Sequence, residues 1–374
     1  MRVAVVHEWL TSHAGSEKVV EQILQLYPEA DLFSLVDFLS PEQRHFIGHR
    51  SVQTSFLQKL PLAKRMFRQY LPLMPLAVEQ FDLSPYDLVI SSNHAVAKGV
   101  LVAPHQLHIS YVHTPIRYAW DLQHQYLQQA GLDRGPKGAL TRLILHYLRL
   151  WDTASANRVD CFVANSHFVA KRIWRAYRRH ATVIYPPVDV GRFDWLHPRD
   201  GFYLTVSRFV PYKRVDLTVE AFNQLGLPLV VIGDGPDRAR IAAMAGPNIR
   251  LLGKQPDAVV TDHMQRCQGF IFPAEEDFGI TPVEAQAAGA PVIAFGRGGV
   301  TETVSHGVTG VLFAEQTVDS LVQAVKSFDM GMYELNRDTL RHQAEQFSIQ
   351  RFRDRFRECI EQTYTGFLQG DPLE

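Results

Sequence analysis

The feature that most restricts the fold is an alternation of short apolar runs and helical segments, interrupted once and then restarted. Val3–Val6, Leu32–Val36, Leu88–Ser91, Ile109–Val112, Cys161–Ala164 and Thr182–Tyr185 read as buried strands. Helical segments separate several of them, the first with Val19, Val20, Ile23, Leu24 and Leu26 on one face. Strands that alternate with helices pair in parallel βαβ units and are covered on both faces. Pro186-Pro187-Val188-Asp189 breaks the pattern, and irregular sequence runs to Gly201. The alternation then resumes with strands at Phe202–Val206, Leu229–Ile232, Ile249–Leu252, Gly269–Phe272 and Pro291–Phe295. Helices are predicted over Asp216–Leu225 and Pro282–Ala288. The expected architecture is α/β, with two consecutive doubly wound domains, 1–187 and 188–350, facing each other across a cleft. A helical segment, 351–374, is free to pack back on the N-terminal domain. Ligands of such sheets gather at the carboxyl ends of the strands, so the chemistry is sought in the loops there.

Composition narrows the partners. With 38 Lys+Arg against 39 Asp+Glu the net charge is −1, which argues against a dedicated nucleic-acid binder. The three cysteines are far apart in sequence, which excludes a disulfide framework and a CxxC zinc site and suits a reducing cytoplasm. No apolar run approaches the ~18–20 residues of a membrane span, and the first four apolar residues meet a charge too soon for a signal-peptide core. The expectation is a cytoplasmic protein, soluble or peripheral on the inner face of the plasma membrane. Residues 1–190 hold 20 basic and 15 acidic residues, whereas the rest hold 18 and 24. The excess positive charge lies in two stretches, 56–74 and 137–151, expected as basic amphipathic helices. Such helices lie on anionic membranes or pack between domains with a solvated basic face.

Three constellations carry chemistry. In Pro273–Glu284 a strand runs into a loop whose Gly279 opens a helix, so the N–H groups of Gly279, Ile280 and Thr281 form an anion site. Glu284 is placed to accept hydrogen bonds from a ribose diol and Glu276 from sugar hydroxyls; alternatively both are solvated on a plain strand–helix turn. In Val206–Arg214, Arg208 and Lys213 follow a strand and precede a helix, as a diphosphate clamp or as two surface cations. His113 ends a strand of the first domain, where it donates to a sugar oxygen, transfers a proton, or is structural. Gly15, in the first βα loop, permits close approach of a ligand.

Together these segments resemble a family 4 retaining glycosyltransferase of the GT-B fold, of the bacterial polysaccharide mannosyl- or glucosyltransferase type. The resemblance covers nearly the whole chain. It rests on Glu276-x7-Glu284 around Phe278-Gly279-Ile280-Thr281-Pro282, on Arg208…Lys213, on Ile232-Gly233-Asp234-Gly235-Pro236 and on His113-Thr114-Pro115. It implies that Arg208 and Lys213 neutralise a leaving diphosphate, and that Glu284 holds the ribose. It places the donor hexose and phosphate against Glu276, Phe278 and the N–H groups after Gly279, His113 near the reacting carbon, and Lys254 beside the base. Catalysis is then metal-independent, with no cofactor beyond the nucleoside-diphosphate sugar, UDP-glucose or GDP-mannose. The implied acceptor is a growing or lipid-linked bacterial glycan. The chain departs from the family's Gly-Gly-Ala-Glu loop at Ala14 and has Asp277 where glycine is common. The alternatives are a nucleotide-sugar epimerase or hydrolase on the same fold, and a non-catalytic nucleotide-sugar-binding protein. A dinucleotide-dependent dehydrogenase is excluded, because no GxGxxG follows the first strand.

Overall fold

The structure, a computed structural model, describes residues 1–370, so 371–374 of the expected terminal segment lie outside the described residues. It divides into two compact units. One is built from Met1–Pro186 together with the segment from Phe352 onward, the other from Pro187–Arg351. Each holds one parallel sheet.

The first sheet has seven strands: β1 (Val3–Leu10), β2 (Asp31–Asp37), β3 (Val52–Thr54), β4 (Leu88–Asn93), β5 (Leu107–Val112), β6 (Cys161–Ala164) and β7 (Thr182–Val183), in the order 3-2-1-4-5-6-7. The period of two is visible in the packing. Val3 and Val5 join a core with the Gly15–Leu26 helix, whereas Ala4 and Val6 join a core on the opposite face with Leu145 and Leu148. Both faces are buried, so the strands read as continuous apolar runs. β1 runs past the expected Val6 to Leu10, and carries His7 and Glu8 inside with no exposed surface. β3 escapes the sequence reading because it is a three-residue edge strand whose Val-Gln-Thr shows little apolar pattern.

The second sheet has six strands: β8 (Tyr203–Val206), β9 (Leu229–Ile232), β10 (Ile249–Gly253), β11 (Gly269–Phe272), β12 (Val292–Phe295) and β13 (Gly310–Phe313), in the order 10-9-8-11-12-13. β13 was not expected from sequence. In each sheet the chain runs outward on one side and then returns to the middle. The direction therefore reverses between β1 and β4 in the first sheet and between β8 and β11 in the second. Those reversals open crevices at the strands' carboxyl ends.

The helix Ile349–Gln369 ends in the first unit. Its Phe352, Phe356 and Ile360 enter the same core as Val5, Ile23 and Tyr111. Phe356 has no exposed surface and stacks on Phe352 with ring centroids 5.4 Å apart. Truncating a buried phenylalanine to alanine costs about 3–5 kcal/mol. Phe356→Ala is therefore expected to lower the unfolding midpoint in urea, measured by equilibrium denaturation.

One expectation needs correction. Residues 56–74 do not form an amphipathic helix. Pro61 and Pro72 and a left-handed Leu62 (φ 55°) break the stretch into the short turns Phe56–Lys59, Ala63–Met66 and Phe67–Leu73. The second stretch does fall on one long helix, Gly135–Ser155, whose apolar residues divide: Leu145 and Leu148 face the core, whereas Leu140, Leu143, Tyr147 and Leu150 are exposed. No helix among the described residues is long and apolar enough to cross a membrane.

Candidate functional site

In the second unit the loops after β8 and β11 meet. The chain leaves β8 through the exposed Arg208 and makes a short turn, Pro211–Lys213. It then enters the helix Val215–Leu225 through Arg214, held left-handed at φ 51°. The loop is fixed from below by the Gly233-Asp234-Gly235 turn. A Cβ on Gly233 would lie 1.8 Å from the Ser207 carbonyl oxygen, and Phe209 N–H donates to the Asp234 carbonyl at 2.9 Å. Only glycine lets the two backbones approach this closely. The Lys213 ammonium is bonded directly to the Glu276 carboxylate, and each side chain is less than one-fifth exposed. Of the residues singled out from sequence, these two are in contact.

Glu276 follows β11 and is pinned through its backbone. Gly299 N–H donates to its carbonyl at 2.8 Å, and a Cβ on Gly298 would meet that oxygen at 2.4 Å. The helix Ile280–Ala287 begins two residues before the expected Pro282, with Gly279 at φ 87° as its first capping residue. Pro282 still falls in the first turn, where its missing N–H costs nothing. The free N–H groups there carry partial positive charge. The Phe278 side chain is buried against Phe347, ring centroids 5.5 Å apart, so it offers no side-chain surface to a ligand.

Glu284 is buried in the same helix, and Arg192 Nη2 donates to it at 2.8 Å. Arg192 was hidden from sequence reasoning inside the interdomain stretch. Gly298 and Gly299 were legible in principle, as paired glycines closing a strand-to-helix loop. Lys254 is exposed just past β10, beside the Gly233 turn, where Gly233 N–H donates to the Gly253 carbonyl at 2.9 Å.

Gly15 and His113 belong to the first unit. Gly15 is the first residue of the Gly15–Leu26 helix, and Ala14 before it has φ −124°, a conformation that needs no glycine. His113 follows β5, with its N–H donating to the Asn93 carbonyl at 2.8 Å. Around it lie His7, Glu8 and Glu17, which the sequence marks only as part of the family-like pattern with no role assigned, and Ser92 and His94, which it does not mark. Glu8 Oε1 accepts the N–H groups of His94, Ala95, Val96 and Ala97 at 2.7–3.1 Å, and its Oε2 lies 2.7 Å from His94 Nδ1. Burial pushes the Glu8 carboxyl up, but His94 and these N–H groups outweigh it and hold the group well below the usual carboxylate range. Burial pushes the His94 imidazole down, but Glu8 prevails and raises it.

Glu17 shows the same balance. Burial raises its pKa, but the hydrogen bonds it accepts from His7 and from the Ala14 N–H bring it from 4.5 down to about 2. A carboxyl depressed in the folded state contributes stability above its unfolded pKa, and that contribution is lost as the pH falls through its folded value. The shift corresponds to about 3 kcal/mol. Stability of the wild type is therefore expected to fall between about pH 4.5 and pH 2 more steeply than that of Glu17→Gln, in acid titrations of the denaturation midpoint.

Residues 15–192 match the model for Glycosyltransferase Family 4, and residues 191–342 that for Glycosyl transferases group 1. The chain belongs to glycosyltransferase family 4. This family 4 glycosyltransferase is 30% identical over 195 residues to a GDP-mannose-dependent monoacylated alpha-(1-6)-phosphatidylinositol monomannoside mannosyltransferase of Corynebacterium glutamicum, covering 44% of this chain and 51% of that one. It is 28% identical over 207 residues to the D-rhamnosyltransferase WbpZ of Pseudomonas aeruginosa, covering 50% and 54%. The chain spans about half the length of the curated relatives it matches. Among solved structures it resembles Anabaena HepE in complex with UDP-glucose, with a TM-score of 0.68 at 17% identity over 97% of this chain and 100% of that one. It also resembles the lipopolysaccharide outer core galactosyltransferase WaaB, with a TM-score of 0.64 at 16% identity over 99% of each chain. These likenesses establish the GT-B fold for the family 4 glycosyltransferase.

Proposed function

We propose that this protein is a retaining hexosyltransferase that moves glucose or mannose from UDP-glucose or GDP-mannose to a growing or lipid-linked bacterial glycan. The observation that carries the reading is the meeting of Lys213, Glu276 and the Gly279 helix start at the reversal between β8 and β11. A nucleoside diphosphate needs cations and oriented N–H groups where its charge develops, and a carboxylate for the sugar hydroxyls. That loop cluster supplies all three. The donor choice follows the relatives: one is named as GDP-mannose-dependent, and HepE was solved with UDP-glucose.

Charge neutralisation falls to Arg208 and Lys213, so turnover is expected to survive a chelator. The Lys213–Glu276 pair is self-neutralised, and the donor's diphosphate and hexose divide it between them. Glu284, oriented by Arg192, takes the ribose, and Lys254 flanks the base. No carboxylate is assigned as nucleophile, so retention proceeds by front-face substitution, with the donor phosphate accepting the acceptor's proton. The exposed Leu140, Leu143, Tyr147 and Leu150, with Lys137 on the same helix, support peripheral attachment to an anionic membrane at its cytoplasmic face.

The test is calorimetric titration with UDP, GDP, ADP and dTDP without added metal. Micromolar binding of one base is expected. A folded protein that binds none of them overturns the phosphate site.

A further inference from the structure

At the reversal between β1 and β4, four side chains form one hydrogen-bonded file. Glu17 Oε1 lies 3.3 Å from His7 Nε2, His7 Nδ1 lies 3.1 Å from Ser92 Oγ, and Ser92 Oγ lies 2.9 Å from His113 Nε2. His7 and Ser92 are register partners on neighbouring strands, and both are fully buried. We propose that Glu17, His7 and Ser92 are positioning residues that hold His113 as the tautomer protonated on Nε2, so that Nδ1 offers the sugar a bare lone pair. This rests on the reading of His113 as the residue that meets the donor hexose.

Each link dictates the next. Glu17 is ionised and only accepts, so His7 carries its proton on Nε2. With a single ring proton, placed on Nε2 by Glu17, His7 presents a bare Nδ1, which takes the one hydroxyl proton of Ser92. Ser92 Oγ has only lone pairs left, so His113 Nε2 must donate. Burial, with the nearby His94, pushes the His113 imidazole down to about 3 and keeps it neutral. The other groups facing the file are already engaged. His94 is bonded to Glu8, and its ring stands 6.2 Å from that of His7 and 6.5 Å from that of His113. Tyr111, 5.2 Å from the His113 ring, donates its hydroxyl to the Ile184 carbonyl. His113 in this state accepts a hydrogen bond from a sugar hydroxyl and is not an acid.

The second oxygen of Glu17 makes the file testable. Oε2 accepts the Ala14 N–H at 3.0 Å. A glutamine at this position must set its carbonyl there, because an NH2 group would face an N–H. Its NH2 group therefore turns to His7, and every bond reverses. His7 accepts at Nε2 and donates from Nδ1, Ser92 donates to His113 Nε2, and the His113 proton moves to Nδ1. One atom exchanged at position 17 inverts a ring three links away.

The experiment is long-range proton–nitrogen correlation on the full-length protein labelled with 15N-histidine, with the His113 signal assigned by its loss in His113→Gln. Nε2–H is expected in the wild type and Nδ1–H in Glu17→Gln, with turnover of the latter down about tenfold for one lost hydrogen bond. With Ser92→Ala in place, the His113 signal should no longer respond to position 17. An Nδ1–H wild type, or a folded Glu17→Gln with an unchanged His113, overturns the proposal. If Glu17→Gln does not fold, Ser92→Ala alone decides: the Nε2–H signature must give way to a mixed one, and an unchanged signature overturns the proposal. Near-normal turnover of His113→Ala would refute the sugar contact while leaving the file standing, which separates the two claims.

Discussion

Lys213→Ala is expected to cut turnover on the order of 10²–10³-fold, the usual effect of removing one preorganised group from developing charge. The melting temperature should hardly move. Lys213 and Glu276 lie on loops and keep contact with water, so the Glu276 carboxylate left behind is solvated and not stranded as in a fully buried pair. The loss in turnover should be large because two effects add. The leaving diphosphate loses its ammonium, and the Glu276 carboxylate, no longer neutralised, stands beside it as a like charge. Lys213→Arg keeps the charge but replaces a compact ammonium by a planar fork, and should retain part of the activity. Steady-state kinetics beside thermal melts check both, and near-normal turnover of Lys213→Ala would refute the assignment of the phosphate site.

Lys98→Met is expected to show the opposite profile, with large loss of stability and little change in turnover per folded molecule. Lys98 has no exposed surface. Its ammonium lies 2.7 Å from Asp152 Oδ1 and 2.8 Å from both the Asp152 carbonyl and Ser155 Oγ, over the rings of Trp151 and Tyr177. Burial pushes its pKa down, yet Asp152 keeps a partner in place. Removing one member of such a pair leaves an uncompensated buried charge, at a cost of about 3–5 kcal/mol. The midpoint should fall on the order of 10 °C in calorimetry. Lys98→Met/Asp152→Leu should recover only part of the loss. Trp120 Nε1 and the Tyr177 hydroxyl both donate to Asp152 Oδ2, and an apolar side chain leaves those donors without an acceptor.

Most strands and the loops at their carboxyl ends were legible because period and punctuation carry them. Cys161–Ala164, Leu229–Ile232 and Gly269–Phe272 stand in the structure with the bounds read from sequence. The failures have physical causes. β1 was cut short at Val6 because His7 and Glu8 are polar, and polarity normally ends a buried strand. Here four N–H groups around Glu8 and the Glu17–His7–Ser92 file satisfy those groups inside the sheet. Pairing across the β1/β4 reversal is long-range, so no local pattern announces it. Arg192 was missed likewise, since its partner Glu284 is 92 residues away. The 56–74 stretch misled because composition was weighed above its prolines, which set the backbone before amphipathicity acts.

The return of the chain to its starting unit at Phe352 has a consequence for biosynthesis. The ribosome releases every strand of the second sheet before it releases Phe352, Phe356 and Ile360. The unit made first is therefore the one that must wait to close its core, with Val5, Ile23 and Tyr111 uncovered on one face while the younger unit already has all of its own sequence.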